Sequence, residues 1–391
     1  MTLVEVTNKH LEKEFIQLPV GLYKDEPNWI RPLDKDIKAI FDPAKNKLFK
    51  SGKAIRWILR NDAGNTIGRI AAFVNEKTVN TYDQPTGGLG FFECIDDKEA
   101  ASQLFGAAED WLKSEGMEAV DGPINFGDRN SWWGCLAEGF SKPNYQMPWN
   151  FGYYNQLFHD QGYQEYFKQL TYQRPMGSEV DFVPRFYERA NQTLENPDYE
   201  FRHIKRGEYR KAHLYFHEVY NKAWAGHSGV KPMTIQQCKK LFKALGTVAD
   251  NRLLWFAFHK GSPVAFFISM PDLNQVIQYL NGKWNPISIL RFSYLLKIKK
   301  VANKGLGIIF GVVPEHRQKG VEGGLVVSYV QKLAWKKGFP YKDIEMNWIG
   351  DFNPKMIRIV EMIGGEVLKT HITYRKIFDE KKEFIRAPIM E

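Results

Sequence analysis

The residues of this 391-residue chain whose types and spacing suit a chemical task lie in one basic, glycine-rich turn, Arg317-Gln318-Lys319-Gly320-Val321-Glu322-Gly323-Gly324. Gly307 to Pro314 runs into it, short, apolar and rich in β-branched residues, which predicts a buried strand. Leu325 to Lys337 runs out of it with apolar residues at helical spacing and stops at Gly338, a C-cap residue. Strand, glycine turn, helix aims backbone N–H groups at an anion. The first turn of a helix has no internal acceptors for them, and its dipole favours negative charge. The turn lacks the Gly-Lys-Ser/Thr ending of a P-loop and the three-glycine spacing of a dinucleotide fingerprint. A phosphate-bearing ligand held by main-chain amides is the expectation.

The turn resembles the pyrophosphate loop of the GCN5-related N-acetyltransferase (GNAT) superfamily, Arg/Gln-x-x-Gly-x-Gly/Ala after a strand. Arg317 and Gly320 match, whereas Glu322 stands at the last position with Gly323 and Gly324 directly after it. A carboxylate beside a pyrophosphate is unfavourable unless it turns outward. In the superfamily a further strand leads to Asn and then to a helix closed by Gly. Here Tyr341 to Asn347 predicts the strand, and Asn353 to Gly364 a helix with an N-cap, a proline at its first position and a terminal glycine. Gly365 to Phe378 reads as a final strand. The resemblance implies acetyl-coenzyme A or another acyl-coenzyme A as cosubstrate. It places Val312 and Val313 along the pantetheine arm and the turn from Arg317 to Gly324 around the phosphates. Asn353 is either a pantetheine contact or a helix cap only.

Acyl transfer to an amine needs an acceptor stripped of its proton, a donor for the oxyanion and a proton for the departing thiolate. Many GNAT members use a Tyr four residues before the closing Gly, a position held here by Val360, and a Glu on the cofactor strand, where Ile308 to Val313 has none. The catalytic acid and base stay unassigned; Tyr374, Glu345 and His316 are the remaining candidates, each read more readily as a surface or strand-pairing residue. The oddest composition lies in Gly127 to Phe140, where Arg129, Trp132 and Trp133 either line a substrate pocket or pin a long loop to the rest of the molecule.

The elements that must position these residues come twice. A hairpin is expected at 55–74 and another at 253–270, with Trp57 and Trp255 preceding the turn glycines Gly64 and Gly261 by seven and six residues. Gly162 stands ten residues before Tyr172 in a Thr-Tyr-Gln-Arg context, and Gly364 ten before Tyr374 in Thr-Tyr-Arg-Lys. Phe158 occupies the tyrosine position of the first copy. This is a divergent duplication with an offset of about 200 residues. Where the second copy has its glycine turn, the first has Cys94-Ile-Asp-Asp-Lys-Glu-Ala100, whose acids repel phosphate. Asp97 reads as a helix cap, so the first copy is degenerate. The second carries an insertion, Asp272 to Lys304, with a basic amphipathic helix expected over Ile287 to Val301. A single element pair is expected for Tyr163 to Arg174, two strands, and no regular structure for 125–149.

The fold class that follows is α/β: two tandem GNAT-like folds, each a central mixed sheet flanked by helices. The division is 1–174, a connector at 175–197 that can hold a helix, and 198–391 with the coenzyme A loop. The expected function is transfer of an acetyl or other acyl group from coenzyme A to an amine. Tandem copies also occur in Fem-type aminoacyltransferases and N-myristoyltransferases, and a fold kept as a binding module is the third alternative. A net charge of +9 suits a polyphosphate cosubstrate, while scattered basic residues argue against nucleic acid. Three distant cysteines, Cys94, Cys135 and Cys238, suggest a reducing compartment and no metal cluster. No apolar run reaches the roughly 20 residues that span a bilayer, and the polar N-terminus does not read as a signal peptide, so a cytoplasmic location is expected.

Overall fold

The computed structural model describes all residues except 81–83, 177–181, 225–231, 318, 335–337 and 391. Strand β1 (Thr2–Glu5) leads to α1 (Lys9–Leu22), whose cap Asn8 accepts from the amides of His10 and Leu11. After α2 (Asp34–Ile40) come the hairpin β2 (Gly52–Arg60) and β3 (Thr66–Asn75), then β4 (Thr86–Cys94). Asp97 caps α3 (Lys98–Ser114) by accepting from Ala100 N–H at 2.8 Å. Strand β5 (Ala119–Gly122), β6 (Cys135–Glu138), α4 (Tyr153–Asp160) and β7 (Gln164–Pro175) close the first copy. Helix α5 (Pro184–Leu194) lies in the connector.

The second copy runs β8 (Tyr199–His203), α6 (Tyr209–Trp224), α7 (Ile235–Leu245), β9 (Leu254–His259) and β10 (Ser262–Pro271). Short α8 (Asn274–Ile277) and α9 (Pro286–Ser293), the latter continued by a π-helical turn at Tyr294–Ile298, form the insertion. Then come β11 (Lys304–Val312), α10 (Val321–Tyr329), β12 (Asp343–Gly350), α11 (Pro354–Met362) and β13 (Glu366–Ile377). Three expectations need correction. Tyr163 to Arg174 holds one long strand, not two, and 125–149 contains β6. Helix α10 starts at Val321, not Leu325, because Gly320 takes the left-handed conformation (φ 80°) that lets the chain turn straight into the helix.

The strands join in one mixed sheet with the order β1-β2-β3-β4-β5-β13-β7-β12-β11-β10-β9-β8, β6 pairing with β13 beside this path. Among the described residues only β4–β5 and β11–β12 are parallel, each pair bridged by a helix, α3 or α10. Strand β13, from the second copy, pairs with β5 of the first through Tyr374↔Gly122 and Arg375↔Asp121. Strand β7, from the first, pairs with β12 of the second through Ile344↔Arg174 and Glu345↔Gln173, and with β13 along most of its length. The copies have exchanged their last strands.

Side chains follow the backbone. Ile372 and Tyr374 are buried in the apolar core of the first copy with Phe105 and Phe158, and the Tyr374 ring stacks on Phe158 at 5.0 Å. Tyr172 and Met176 are buried reciprocally in the core of the second with Trp255, Leu325 and Val360. The aromatic segment is pinned across the same seam, Trp133 Nε1 donating to Thr373 Oγ1 at 3.1 Å.

A sheet completed this way cannot be cut at residue 197 without leaving β12 and β13 short of β7 and exposing unpaired backbone. A fragment of residues 198–391 is expected to be insoluble, or to lack a cooperative melt, while co-expression with residues 1–197 restores a complex that melts like the whole chain. A fragment that melts as the intact protein does would show that the exchanged strands are dispensable.

Candidate functional site

Strands β11 and β12 pair only from Lys304 to Gly307 and from Asp343 to Met346; beyond that point they part. The opening is an apolar slot lined by Phe267, Ile308, Phe310, Met346, Asn347 and Val360. Ile359 lines both this slot and a wider basin walled by Arg185, Arg189, Gly320, Glu322, Gly323 and Arg358. Slot and basin therefore share a wall at Ile359 and make up a two-part cleft, apolar between the strands and cationic at the start of α10. Among the described residues the guanidinium groups of Arg185, Arg189 and Arg358 have no hydrogen-bond or ion-pair partner. The first helical hydrogen bond of α10 runs from Gly324 N–H to Gly320 C=O at 2.8 Å, so the amides of Val321, Glu322 and Gly323 precede any acceptor within the helix.

The residues singled out in the sequence divide around this cleft. Gly320, Glu322 and Gly323 line it. Val312, Val313 and Val321 are buried core, and the Val313 N–H donates to Val264 C=O in the sheet. Arg317 points away: its Nη2 donates to Ala223 C=O at 2.5 Å and its Nε to Val312 C=O at 3.2 Å, clamping the turn to the end of α6. The Lys319 carbonyl accepts from Thr193 Oγ1 on α5 at 2.5 Å. Gln318 lies outside the described residues. Asn353 caps α11, accepting from Met356 N–H at 3.2 Å.

The glycines also serve packing. A Cβ on Gly320 would lie 2.5 Å from Thr193 Oγ1 and 2.6 Å from Arg189 C=O, and one on Gly324 2.7 Å from the Phe201 ring. Small residues here let α5 and β8 lie against α10.

Of the candidate acids and bases, none stands free at the slot. Val360 is fully buried there. Tyr374 Oη donates to Asn155 Oδ1 at 2.8 Å inside the first copy. His316 Nδ1 meets Tyr199 Oη at 2.7 Å beside the turn, and burial with His259 nearby pushes its pKa down. Glu345 is the most connected. On the sheet face away from Met346 it meets Lys304 Nζ at 2.7 Å, Lys369 Nζ at 3.1 Å and Asn144 Nδ2 at 2.7 Å. Burial pushes its carboxyl up, but the Lys369 and Lys304 charges outweigh burial and hold it below the usual range. It stays ionised. Asp272 closes the group at 3.1 Å from Lys304.

Sequence reading missed a second constellation, in the first copy. A cavity of ≈ 90 Å³ is lined by aromatic and apolar residues including Trp29, Phe92, Trp132, Trp149 and Phe158. Its polar lining residues include Arg69, Asn150, Glu93 and the pair Arg31 and Asp34, which meet at 3.0 Å. Glu93 on β4 accepts from the hydroxyls of Tyr23 and Tyr154, the latter at 2.9 Å, and from Arg69 Nη2 at 3.3 Å. Burial raises its pKa despite Arg69. Among the described residues, Arg69 Nε and Trp132 Nε1, both on cavity residues, are buried donors without an acceptor. The available signal was Glu93 itself, a carboxylate in an apolar strand at the first copy's equivalent of the cofactor strand. Of the two other expected substrate contacts, Arg129 stacks over Phe167 at 4.9 Å, and Trp133 bonds to Thr373 as described.

Cavity and cleft are neighbours. Pro143, Met147 and Pro148 wall the cavity, and Asn144 in the same segment donates to the Oδ1 of Asn347, a slot residue, at 3.3 Å.

No protein-family model matches the chain. A tandem GNAT protein from the clavulanic acid biosynthesis pathway superposes with a TM-score of 0.53, covering 97% of this chain and 99% of that one at 12% identity. The fold is a tandem GNAT-like fold. A GCN5-related glucosamine N-acetyltransferase region of a fungal multi-domain β-N-acetylglucosaminidase gives 0.50 at 13% identity, over 96% of this chain and 38% of that one. In sequence, the protein YghO of Escherichia coli (strain K12) is 28% identical over 380 residues, 94% of this chain and 93% of that protein. The bacterial ceramide synthase of Caulobacter vibrioides (strain NA1000 / CB15N) is 28% identical over 368 residues, 93% and 94% of the two.

His371, between the two sites, gives a measurable electrostatic signature. Its Nε2–H donates to Pro148 C=O at 3.3 Å, its ring stacks on Trp348, and burial pushes its pKa from 6.5 down to about 4. Below pH 6.5 the unfolded chain takes up this proton and the folded chain does not, so stability is whole above 6.5 and falls until about 4. The full loss is ~3 kcal/mol. Melting temperatures between pH about 7.5 and about 5 should fall less in His371→Gln than in the wild type. Equal falls would place the titrating group elsewhere.

Proposed function

We propose that this protein is an acyl-coenzyme A-dependent N-acyltransferase that joins a long acyl chain to the amine of a long-chain amino alcohol. The observation that carries the reading is the two-part cleft, an apolar slot between parted parallel strands that adjoins, at Ile359, a basin at the start of α10 with three arginines that have no partner among the described residues. Those parts fit the three chemical regions of an acyl-coenzyme A. The slot takes the slim pantetheine arm, the leading amides of α10 the pyrophosphate, and Arg185, Arg189 and Arg358 the remaining phosphate charge. In this reading the turn is the phosphate loop, with Arg317 shaping it and Gly320 and Gly323 lining the basin that takes the ligand.

The acceptor is assigned from two supports. A ceramide is the amide of a fatty acid with a long-chain amino alcohol, and one relative of full-length coverage is named a ceramide synthase. The first-copy cavity has the matching chemistry: hydrocarbon walls, Glu93 as counter-charge for an ammonium, and the orphan donors Arg69 Nε and Trp132 Nε1 for a hydroxyl oxygen. In the reaction the amine nitrogen attacks the thioester carbonyl carbon, a C–N bond forms, the C–S bond breaks, and the proton lost by nitrogen ends on the thiolate. Protein groups hold the two substrates together, which by itself lowers the barrier by several kcal/mol. With Glu345 locked between lysines, proton transfer falls to solvent or to the acceptor cavity.

Calorimetry should give one coenzyme A site per chain. Arg189→Glu with Arg358→Glu should weaken it about tenfold or more, ~1.4 kcal/mol per factor of ten, without changing the melting temperature. Gly320 is unsuited to the test, since any Cβ there strikes α5. Mass spectrometry should find the amide from a long-chain acyl-coenzyme A and a long-chain amino alcohol, with Glu93→Gln and Trp132→Ala raising the acceptor KM and leaving the acyl-coenzyme A KM unchanged. Coenzyme A binding that ignores both arginines would sink the donor site. Amide formation that ignores Glu93 and Trp132 would sink the acceptor site alone.

A further inference from the structure

The insertion of the second copy presents a surface that the reaction does not use. Helix α9 and its π-helical continuation are apolar on two faces. One stripe, Ser288, Phe292, Leu295 and Leu296, packs inward, Phe292 lying with Leu273, Ile277, Leu280 and Ala302 and its ring 5.3 Å from Trp284. The other stripe is Ile287, Leu290, Tyr294 and Ile298, spaced by three, four and four residues and so aligned along one side of a helix. It faces outward: Ile287 is 77% exposed, Leu290 72% and Ile298 71%. A helix apolar on both sides belongs in contact with something on both sides.

The charge around the stripe selects the occupant. From Leu273 to Pro314 the sequence has no Asp or Glu, while Lys283, Arg291, Lys297, Lys299 and Lys300 are all exposed and have no ion-pair partner among the described residues. A second copy docking on this stripe about a two-fold axis would bring five cations against five, which opposes pairing. An acidic lipid surface takes both features together. The apolar stripe enters the boundary between headgroups and acyl chains, and the cations lie among anionic headgroups. Among the described residues no helix is long and apolar enough to cross a membrane, so the contact is in the plane of the surface.

We infer that α9 with its π-helical continuation is a docking face for the surface of an anionic bilayer. The inference stands independently of the N-acyltransferase reading; if that reading holds, docking delivers the enzyme to the phase where a long-chain amine dissolves.

The test is flotation of the full chain with vesicles of phosphatidylcholine alone or mixed with phosphatidylglycerol. Binding is expected to the mixed vesicles, weakly or not at all to phosphatidylcholine, and to fall as salt rises. The double variant I287D/L290D should lose about tenfold or more in apparent affinity while keeping its melting temperature, because both side chains are exposed already. The triple variant K297E/K299E/K300E should lose binding likewise. Wild-type protein that ignores anionic vesicles, or I287D/L290D binding them unchanged, overturns the inference. A wild-type dimer in light scattering that I287D/L290D splits to monomers overturns it in favour of a second copy.

Discussion

A backbone N–H or C=O buried without a partner is too costly to leave, and in this sheet neither copy can supply all of its own partners. Strand β7 is held on both sides by strands of the other copy, β12 and β13, and β13 in turn is held by β5 and β7. Buried charges mark the crossing. Lys369 on β13 reaches over β7 to Glu345 on β12, and Arg375 on β13 meets Asp121 on β5 at 2.6 Å. Such pairs add little net stability, but leaving one member alone costs about 3–5 kcal/mol, so they penalise any other register. The segment that holds Asn144 spans from the cavity wall to Asn347 in the slot, next to this seam.

Two copies of one plan then put glycine and charge to different use. At the start of α10, Gly320, Gly323 and Gly324 have no side chains, so α5, Ala190 and Phe201 approach closely while the amides of the first turn still face the basin. At the start of α3 the equivalent position carries Asp97, whose carboxylate satisfies one of those amides from within the chain. An intramolecular anion occupies in one copy the place that, in the function proposed above, the other leaves to a ligand's charge. The opposite holds for the cofactor-strand carboxylate. The first copy keeps Glu93 among hydroxyls in its cavity, whereas the second has only apolar residues along Ile308 to Val313.

How much of this was legible depends on how local the cause is. The strands, helices and their ends follow from neighbours in the chain: β-branched runs, the caps Asn8, Asp97 and Asn353, and glycines with positive φ at Gly64, Gly162, Gly261 and Gly364. The duplication was legible too, because the Thr-Tyr contexts at Tyr172 and Tyr374 repeat at the same distance from a helix-closing glycine. The start of α10 was placed four residues late, since four residues with two glycines carry no helical periodicity of their own.

What the chain alone determined, then, is two GNAT-like units and one turn suited to an anion, since those rest on short-range patterns of residue size, branching and polarity. Which sheet each last strand completes was decided only in three dimensions, because the same alternation of apolar and polar residues fits β7 and β13 to either partner. The same is true of both constellations at the seam. Arg185 and Arg189 come from the connector and Arg358 from α11, while Tyr23, Arg69, Glu93 and Tyr154 come from four separate elements or their flanks. No spacing in the sequence encodes their meeting; the packing of helices over a shared, strand-exchanged sheet brings them together.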